Sequence, residues 1–245
     1  MKKKLLALLL GAALMFSLTA CGNQQDNTSK PEAPSQPSAT EPDASQPTEP
    51  GSTPSQPAGD GKTLVVYFSV PETTSAENMN SEEEYSTVVI DGEVLGNTQY
   101  VAYLIQQATG GDIFRIEPTT PYPMNHAELE EVATEEKRQN AMPEIAAQVE
   151  DMEQYTTVFL GYPNWYADMP RIIYSFLDQY DLSGKTIVPF VTSGGSGFSN
   201  TIGTIQDLEP DATVITDGYS ISRTRMEEAE TGVADWLTGL GYANQ

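Results

Sequence analysis

Cysteine is nearly absent: Cys21 is the only one. That excludes a disulfide within the chain, a thiolate metal cluster and, given its position near the start, a cysteine nucleophile in the folded part. Histidine is equally scarce. His126 stands alone and reads as a surface residue, because no second His or Cys supports a metal site. No H-E-x-x-H, no phosphate-binding G-x-x-x-x-G-K-S/T loop and no G-x-G-x-x-G after a strand is present, and no Ser-His-Asp set stands out. Basic residues number 12 against 35 acidic ones, for a net charge of −23. That balance argues against nucleic acid or anionic lipid as partners of the folded domain. The one long apolar run, Leu5 to Leu18, is shorter than the roughly 20 residues of a spanning helix.

The start of the chain sets an expectation for location. Lys2, Lys3 and Lys4 precede the apolar run, which ends in Leu18, Thr19, Ala20 and Cys21. Residues 1–20 read as a secretory signal peptide. Its ending resembles the bacterial lipobox, which implies cleavage before Cys21 and lipidation of that thiol. An ordinary signal peptide with an incidental cysteine is the alternative. Losing the three leader lysines takes the charge from −23 to −26. Residues 21–61 carry the lipidated Cys21 and a stretch rich in Pro, Ser, Thr and acids. That stretch has too little apolar content to offset its ordering entropy and reads as a disordered tether. Residues 62–245 are enough for one well-packed domain.

Within that domain, short apolar runs alternate with helical patterns. Thr63–Ser69, Asp112–Glu117, Thr157–Gly161, a run ending near Thr192, and Thr213–Thr216 read as strands. Helices follow: one from Gly96, Asn97 and Thr98 to Gly110, a charged stretch from Asn125 to Gln148 divided by Pro143, and one with Ile173, Phe176, Leu177 and Tyr180 inward and Asp168 as cap. Ile202, Ile205 and Leu208 line a fourth. Thr224 and Glu227 form a capping box for the last, which turns Val233, Trp236, Leu237 and Leu240 inward. Five strands alternating with five helices make an α/β domain, a parallel sheet covered on both faces. Residues 70–95 form an insertion, long for a strand-to-helix connection, whose tail reads as a hairpin on Asp91-Gly92. It is either a decorative hairpin or a lid beside the first loop. The acidic runs 82–84 and 128–136 read as solvated faces.

In such a sheet, loops at the carboxyl ends of the strands form the ligand crevice. Two of them differ in kind: GYPNWY at 161–166 is aromatic, and TSGGSG at 192–197 is bare backbone. Together they suit a flat aromatic ligand with hydrogen-bonding edges. With Ser69 and the Gly96-Asn97-Thr98 helix start, the chain resembles the flavodoxin family, and more narrowly the flavodoxin-like domains of secreted bacterial lipoproteins. The resemblance implies a three-layer α/β/α fold, a five-stranded parallel sheet in the order 2-1-3-4-5, and FMN bound without a covalent bond. On that footing Ser69, Gly96, Asn97 and Thr98 hold the phosphate at a positive helix end. Tyr162, Pro163, Asn164, Trp165 and Tyr166 flank the ring, with Trp165 stacking on it. Thr192, Ser193, Gly194, Gly195, Ser196 and Gly197 approach its pyrimidine edge through backbone N–H groups. Tyr122 borders the site.

The sequence departs from the family where the insertion interrupts the phosphate loop after Ser69. The expected function is an electron-transfer lipoprotein at the outer face of a bacterial membrane. Its partners would be a redox protein or small electron acceptor, the membrane through Cys21, and neither metal nor nucleic acid. An FMN-dependent NAD(P)H:acceptor oxidoreductase of quinone type and a non-catalytic surface scaffold are the alternatives. A low potential for the second electron is expected, since the acidic domain disfavours further negative charge.

Overall fold

The computed structural model describes residues 61–242, so the leader, Cys21 and the tether lie outside the described residues. The chain forms β1 (Lys62–Tyr67), α1 (Ser81–Ser86), β2 (Thr87–Ile90), β3 (Glu93–Gly96), α2 (Asn97–Thr109), β4 (Asp112–Arg115), α3 (His126–Gln139), β5 (Tyr155–Pro163), α4 (Arg171–Gln179), β6 (Thr186–Ser193), α5 (Thr201–Leu208), β7 (Thr213–Val214), β8 (Tyr219–Ser222) and α6 (Ala229–Gly239). The main sheet runs β4-β1-β5-β6-β7, with β8 also beside β6, and all its pairings are parallel. Counting β7 and β8 as two halves of one edge strand, this is the order 2-1-3-4-5.

Strand side chains alternate between faces, and both faces are apolar. Leu64, Val66, Phe68, Val158 and Leu160 pack against Ile172, Ile173 and Phe176 of α4 and Ile205 of α5. Val65, Tyr67 and Phe159 pack against Val101, Ala102 and Ile105 of α2 and Val233 and Leu237 of α6. Each such fully buried side chain stabilises the fold by roughly 1.5–3 kcal/mol. Gly161 is required by this packing, because a Cβ there would lie 2.0 Å from the Phe190 ring. Trp236 belongs to the second layer, half-buried, with Nε1 donating to the Asp217 carbonyl.

Several elements differ from the sequence expectation. The fifth strand is two short pieces, and its break falls opposite Pro189, which has no N–H to give the ladder. The 125–148 stretch is helical only to Gln139. Asn140 ends α3 in the left-handed region (φ 50°), and the chain then runs back along the turn after β4 through Thr119 N–H to Glu144 O and Ala146 N–H to Glu117 O. Asp168 does not cap α4, where Pro170 holds the cap position. Its Oδ1 accepts instead from Met169 N–H and Tyr174 Oη–H. No Thr224–Glu227 box forms, since 226–228 make a turn of 3-10 helix and the Thr224 hydroxyl pairs with Ser222. Leu208 is exposed rather than inward.

The insertion folds. Asn80 caps α1 through its side chain, and the Glu83 carboxylate accepts from the Asn80 N–H. β2 and β3 then pair antiparallel across Asp91 and Gly92, both at positive φ, as a two-residue hairpin turn demands. The hairpin delivers the chain to the start of α2, back beside the end of β1.

Candidate functional site

A cleft opens at the carboxyl ends of β1, β5 and β6. Ser69, Asn97, Thr98, Pro163, Asn164, Trp165, Tyr166, Thr192, Ser193 and Gly194 all line it. The interrupted first loop is reassembled despite its 26-residue detour. Ser69 is buried, and its hydroxyl lies so close to Gly96 that a Cβ there would meet it at 2.1 Å. The Thr98 and Thr192 hydroxyls bond at 2.8 Å, tying the first loop to the third. The first turn of α2 carries no acid, so its N–H groups and dipole present a positive end to the cleft.

Two buried carbonyl oxygens lack partners. The Asn97 amide donates to the Tyr85 carbonyl at 2.7 Å and the Asn164 amide to the Gly197 carbonyl at 2.7 Å, and each leaves its Oδ1 unsatisfied. A buried acceptor without a donor costs on the order of 1–3 kcal/mol. Both residues line the cleft, so a ligand whose hydroxyl or N–H groups reached these oxygens would relieve that cost.

Trp165 packs edge-on against Phe68 and Tyr122, with ring centroids 5.5 and 5.6 Å away. It closes a tight turn by exchanging both backbone hydrogen bonds with Asp168. The two residues between, Tyr166 and Ala167, sit at φ 54° and 59°, where side chains are strained. Lys137 holds this turn by donating to the Tyr166 carbonyl at 2.8 Å and pairing with Asp168 at 3.3 Å. Tyr122 stands one layer behind Trp165 rather than in the cleft. Its hydroxyl donates to Glu136, and burial raises its pKa well above the ordinary range.

Besides Tyr122, five of the expected site residues do not line the cleft. Tyr162 points into the core, fully buried and donating to Thr201. It lies on the same strand face as Leu160, which fixes its direction. Gly96 serves from behind by making room for Ser69. Gly195 and Gly197 give their N–H groups to the Ser193 hydroxyl, so these two donors are not free for a ligand, and Ser196 is exposed beside them.

The cleft also holds residues that the sequence did not point to. The insertion contributes Glu72, Tyr85 and Ser86, α3 contributes His126, Leu129, Glu130 and Ala133, and Arg223 enters from the end of β8. Arg223 is the one Lys or Arg lining the cleft among the described residues. It stacks over the Tyr85 ring at 4.6 Å. His126 is no idle surface residue, for its Nδ1 meets Glu72 at 3.0 Å. That hydrogen bond is the main cause of the upward shift of its pKa. The lone histidine and the insertion's place after Ser69 were the available signals. Nothing in the sequence sets Arg223 beside Gly194.

The flavodoxin family's sequence profile matches residues 86–239. The chain belongs to the flavodoxin family. β1 and the insertion as far as Tyr85 lie before the match. Flavodoxin 1 of Escherichia coli K12 is 27% identical over 163 residues, covering 61% of this chain and 75% of that one. Two solved Bacteroides proteins described as candidate flavoproteins are similar to this chain in fold. The one from B. eggerthii is 28% identical with a TM-score of 0.54, covering 74% of this chain and 99% of its own. The one from B. uniformis is 26% identical with a TM-score of 0.51, covering 70% and 96%. Among the described residues of this flavodoxin, no group of three or more His, Cys, Asp or Glu is placed to hold a metal, and no helix is long and apolar enough to cross a membrane.

Proposed function

We propose that this flavodoxin binds FMN in the cleft and carries electrons for a redox partner, held at the outer face of a bacterial membrane by a lipid on Cys21. The observation that carries the cofactor assignment is the pair of unsatisfied buried carbonyls, Asn97 Oδ1 and Asn164 Oδ1, in a cleft that also presents a helix N-terminus and an indole. FMN supplies what each lacks. Its ribityl hydroxyls and ring imide are donors, its phosphate is an anion for the start of α2, and its ring is a flat partner for Trp165. Ser69 and the first turn of α2 would take the phosphate, Trp165 would flank the ring, and Gly194 would let backbone approach its edge. When bound, the flavin supplies the redox chemistry. The chain's part is to hold it, exclude water and set the surrounding charge.

Titrating the purified protein into FMN tests the reading. One-to-one quenching of flavin fluorescence is the expected result, with affinity falling roughly tenfold or more for Trp165→Ala, the loss of about one stacked aromatic pair at 0.5–1.5 kcal/mol plus its buried area. A protein that leaves FMN fluorescence unchanged would falsify it. For the anchor, metabolic labelling with a fatty acid that appears in the wild-type protein and is lost in Cys21→Ser is the expected outcome. Label retained in that variant places the attachment elsewhere.

A further inference from the structure

FMN binding and electron carriage leave several cleft residues unused, among them the pair His126 and Glu72. His126 is the first residue of α3, and Glu72 lies at the start of the insertion. Nδ1 of the imidazole stands 3.0 Å from both oxygens of Glu72, whose side chain is only 9% exposed. The imidazole itself is 40% exposed. Its other nitrogen, Nε2, is 3.6 Å from Glu130, an ion-pair distance too long for a hydrogen bond. One nitrogen is therefore fixed by a buried carboxylate while the other is free to exchange a proton, the arrangement a general acid needs.

Every charged group acting on this ring is an acid: Glu72 from the insertion, Glu82 from α1 and Glu130 from α3 itself. All three favour the protonated ring. Trp165, Asn97 and Gly194, assigned above to the flavin, line the same cleft.

We infer that His126 donates a proton from Nε2 to a small acceptor bound in the cleft, with Glu72 as its positioning residue. The acceptors this suits are those that take up protons with their electrons, carbonyl compounds of the quinone class. The inference rests on the FMN reading and adds a substrate to it. Reducing a quinone to its hydroquinone takes two electrons and two protons. Two electrons and one proton leave the anionic, fully reduced flavin, which returns to its oxidised form. The second proton leaves Nε2, an N–H bond breaking as an O–H bond forms on the acceptor, and solvent restores it. A one-electron donor protein, acting twice, would return the two electrons to the flavin, and solvent would return its one proton.

The single histidine makes the first test direct, because the protein gives one set of imidazole resonances. In an NMR titration without added FMN, His126 is expected to titrate above its ordinary 6.5, and Glu72→Gln is expected to lower the midpoint. A midpoint unmoved by that variant overturns the pairing whatever the cofactor does.

For the second test, protein loaded with FMN is photoreduced without oxygen. It is then mixed with 1,4-benzoquinone, or with ferricyanide, which takes an electron and no proton. His126→Gln is expected to lower the quinone rate relative to the ferricyanide rate by about 10²-fold, the usual worth of a general acid, and to flatten its pH profile. Glu72→Gln is expected to move that profile to lower pH. Quenched FMN with an unchanged rate ratio overturns this step alone, whereas absence of FMN quenching overturns the flavin reading and this step with it.

Discussion

Gly96 shows how a residue can serve a site it does not line. Its missing side chain is the space in which the Ser69 hydroxyl sits, and a methyl group there would lie 2.1 Å from that oxygen. Gly96→Ala is therefore expected to displace the hydroxyl and weaken FMN more than riboflavin, which lacks the phosphate. A hydrogen bond to a charged group contributes about 1.5–3 kcal/mol, so the FMN preference should drop by roughly tenfold or more. Parallel titrations with the two flavins measure it, and an equal loss for both would show that Ser69 does not serve the phosphate. Residues of this kind were partly legible in the sequence. Trp165 stood at a strand end beside a Pro-Asn turn, away from any helix stripe, and it lines the cleft, while Trp236 fell on a helix stripe and packs in the core. Tyr162, beside the same loop, faces the core because strand alternation puts it on the face of Leu160. The places of His126 and Arg223 were not legible, since each depends on contacts across more than 25 residues of chain: His126 to Glu72, Arg223 to Gly194 and Tyr85.

Elements followed the sequence where the local signal and the tertiary packing agreed. The Asp91-Gly92 hairpin and the apolar strands are examples, because turn chemistry and burial specify the same conformation. α1 is not legible from periodicity because its acids show no apolar stripe, and a capping box at Asn80 and Glu83 supplies what periodicity does not. The reverse held at Thr224 and Glu227, where the right spacing was present but Glu228 pairs with Arg225 and a tighter turn precedes α6. At the end of α5, Glu209 holds the cap position. Burial, and then the charge of Asp181, push its carboxyl up to about 7. The folded state thus holds this proton more strongly than the unfolded chain does. The stability it contributes is fully present below 4.5 and is lost as pH rises through about 7. Denaturation midpoints are expected to fall across that window in the wild-type protein and to fall less in Glu209→Gln. Identical slopes would assign the loss to other groups.

At the scale of the whole molecule, charge is the dominant property. The chain stands at −23, and two carboxylates, Glu72 and Glu130, share the cleft with a single arginine. A flavin gaining its second electron there takes on negative charge in an already negative field. Its second couple is expected below that of free FMN, and a potentiometric titration placing it at or above the free value would contradict this. The family and the sheet order were legible at this scale because three loops in register with five strands are a whole-domain pattern. The reach of the insertion into the cleft was left open between a decorative hairpin and a lid, for residues 70–85 lie before the part of the chain that follows the family profile.

The cleft draws its walls from Ser69 through to Arg223, residues separated by most of the domain. Thr98 and Thr192, ninety-four positions apart, are joined by one hydroxyl pair. A growing or threading chain therefore has no half-built version of this site to offer. Any fragment that stops short of β8 lacks Arg223, and any that stops short of β6 lacks the third loop. The complete cleft therefore exists only once β6 and β8 are both in place.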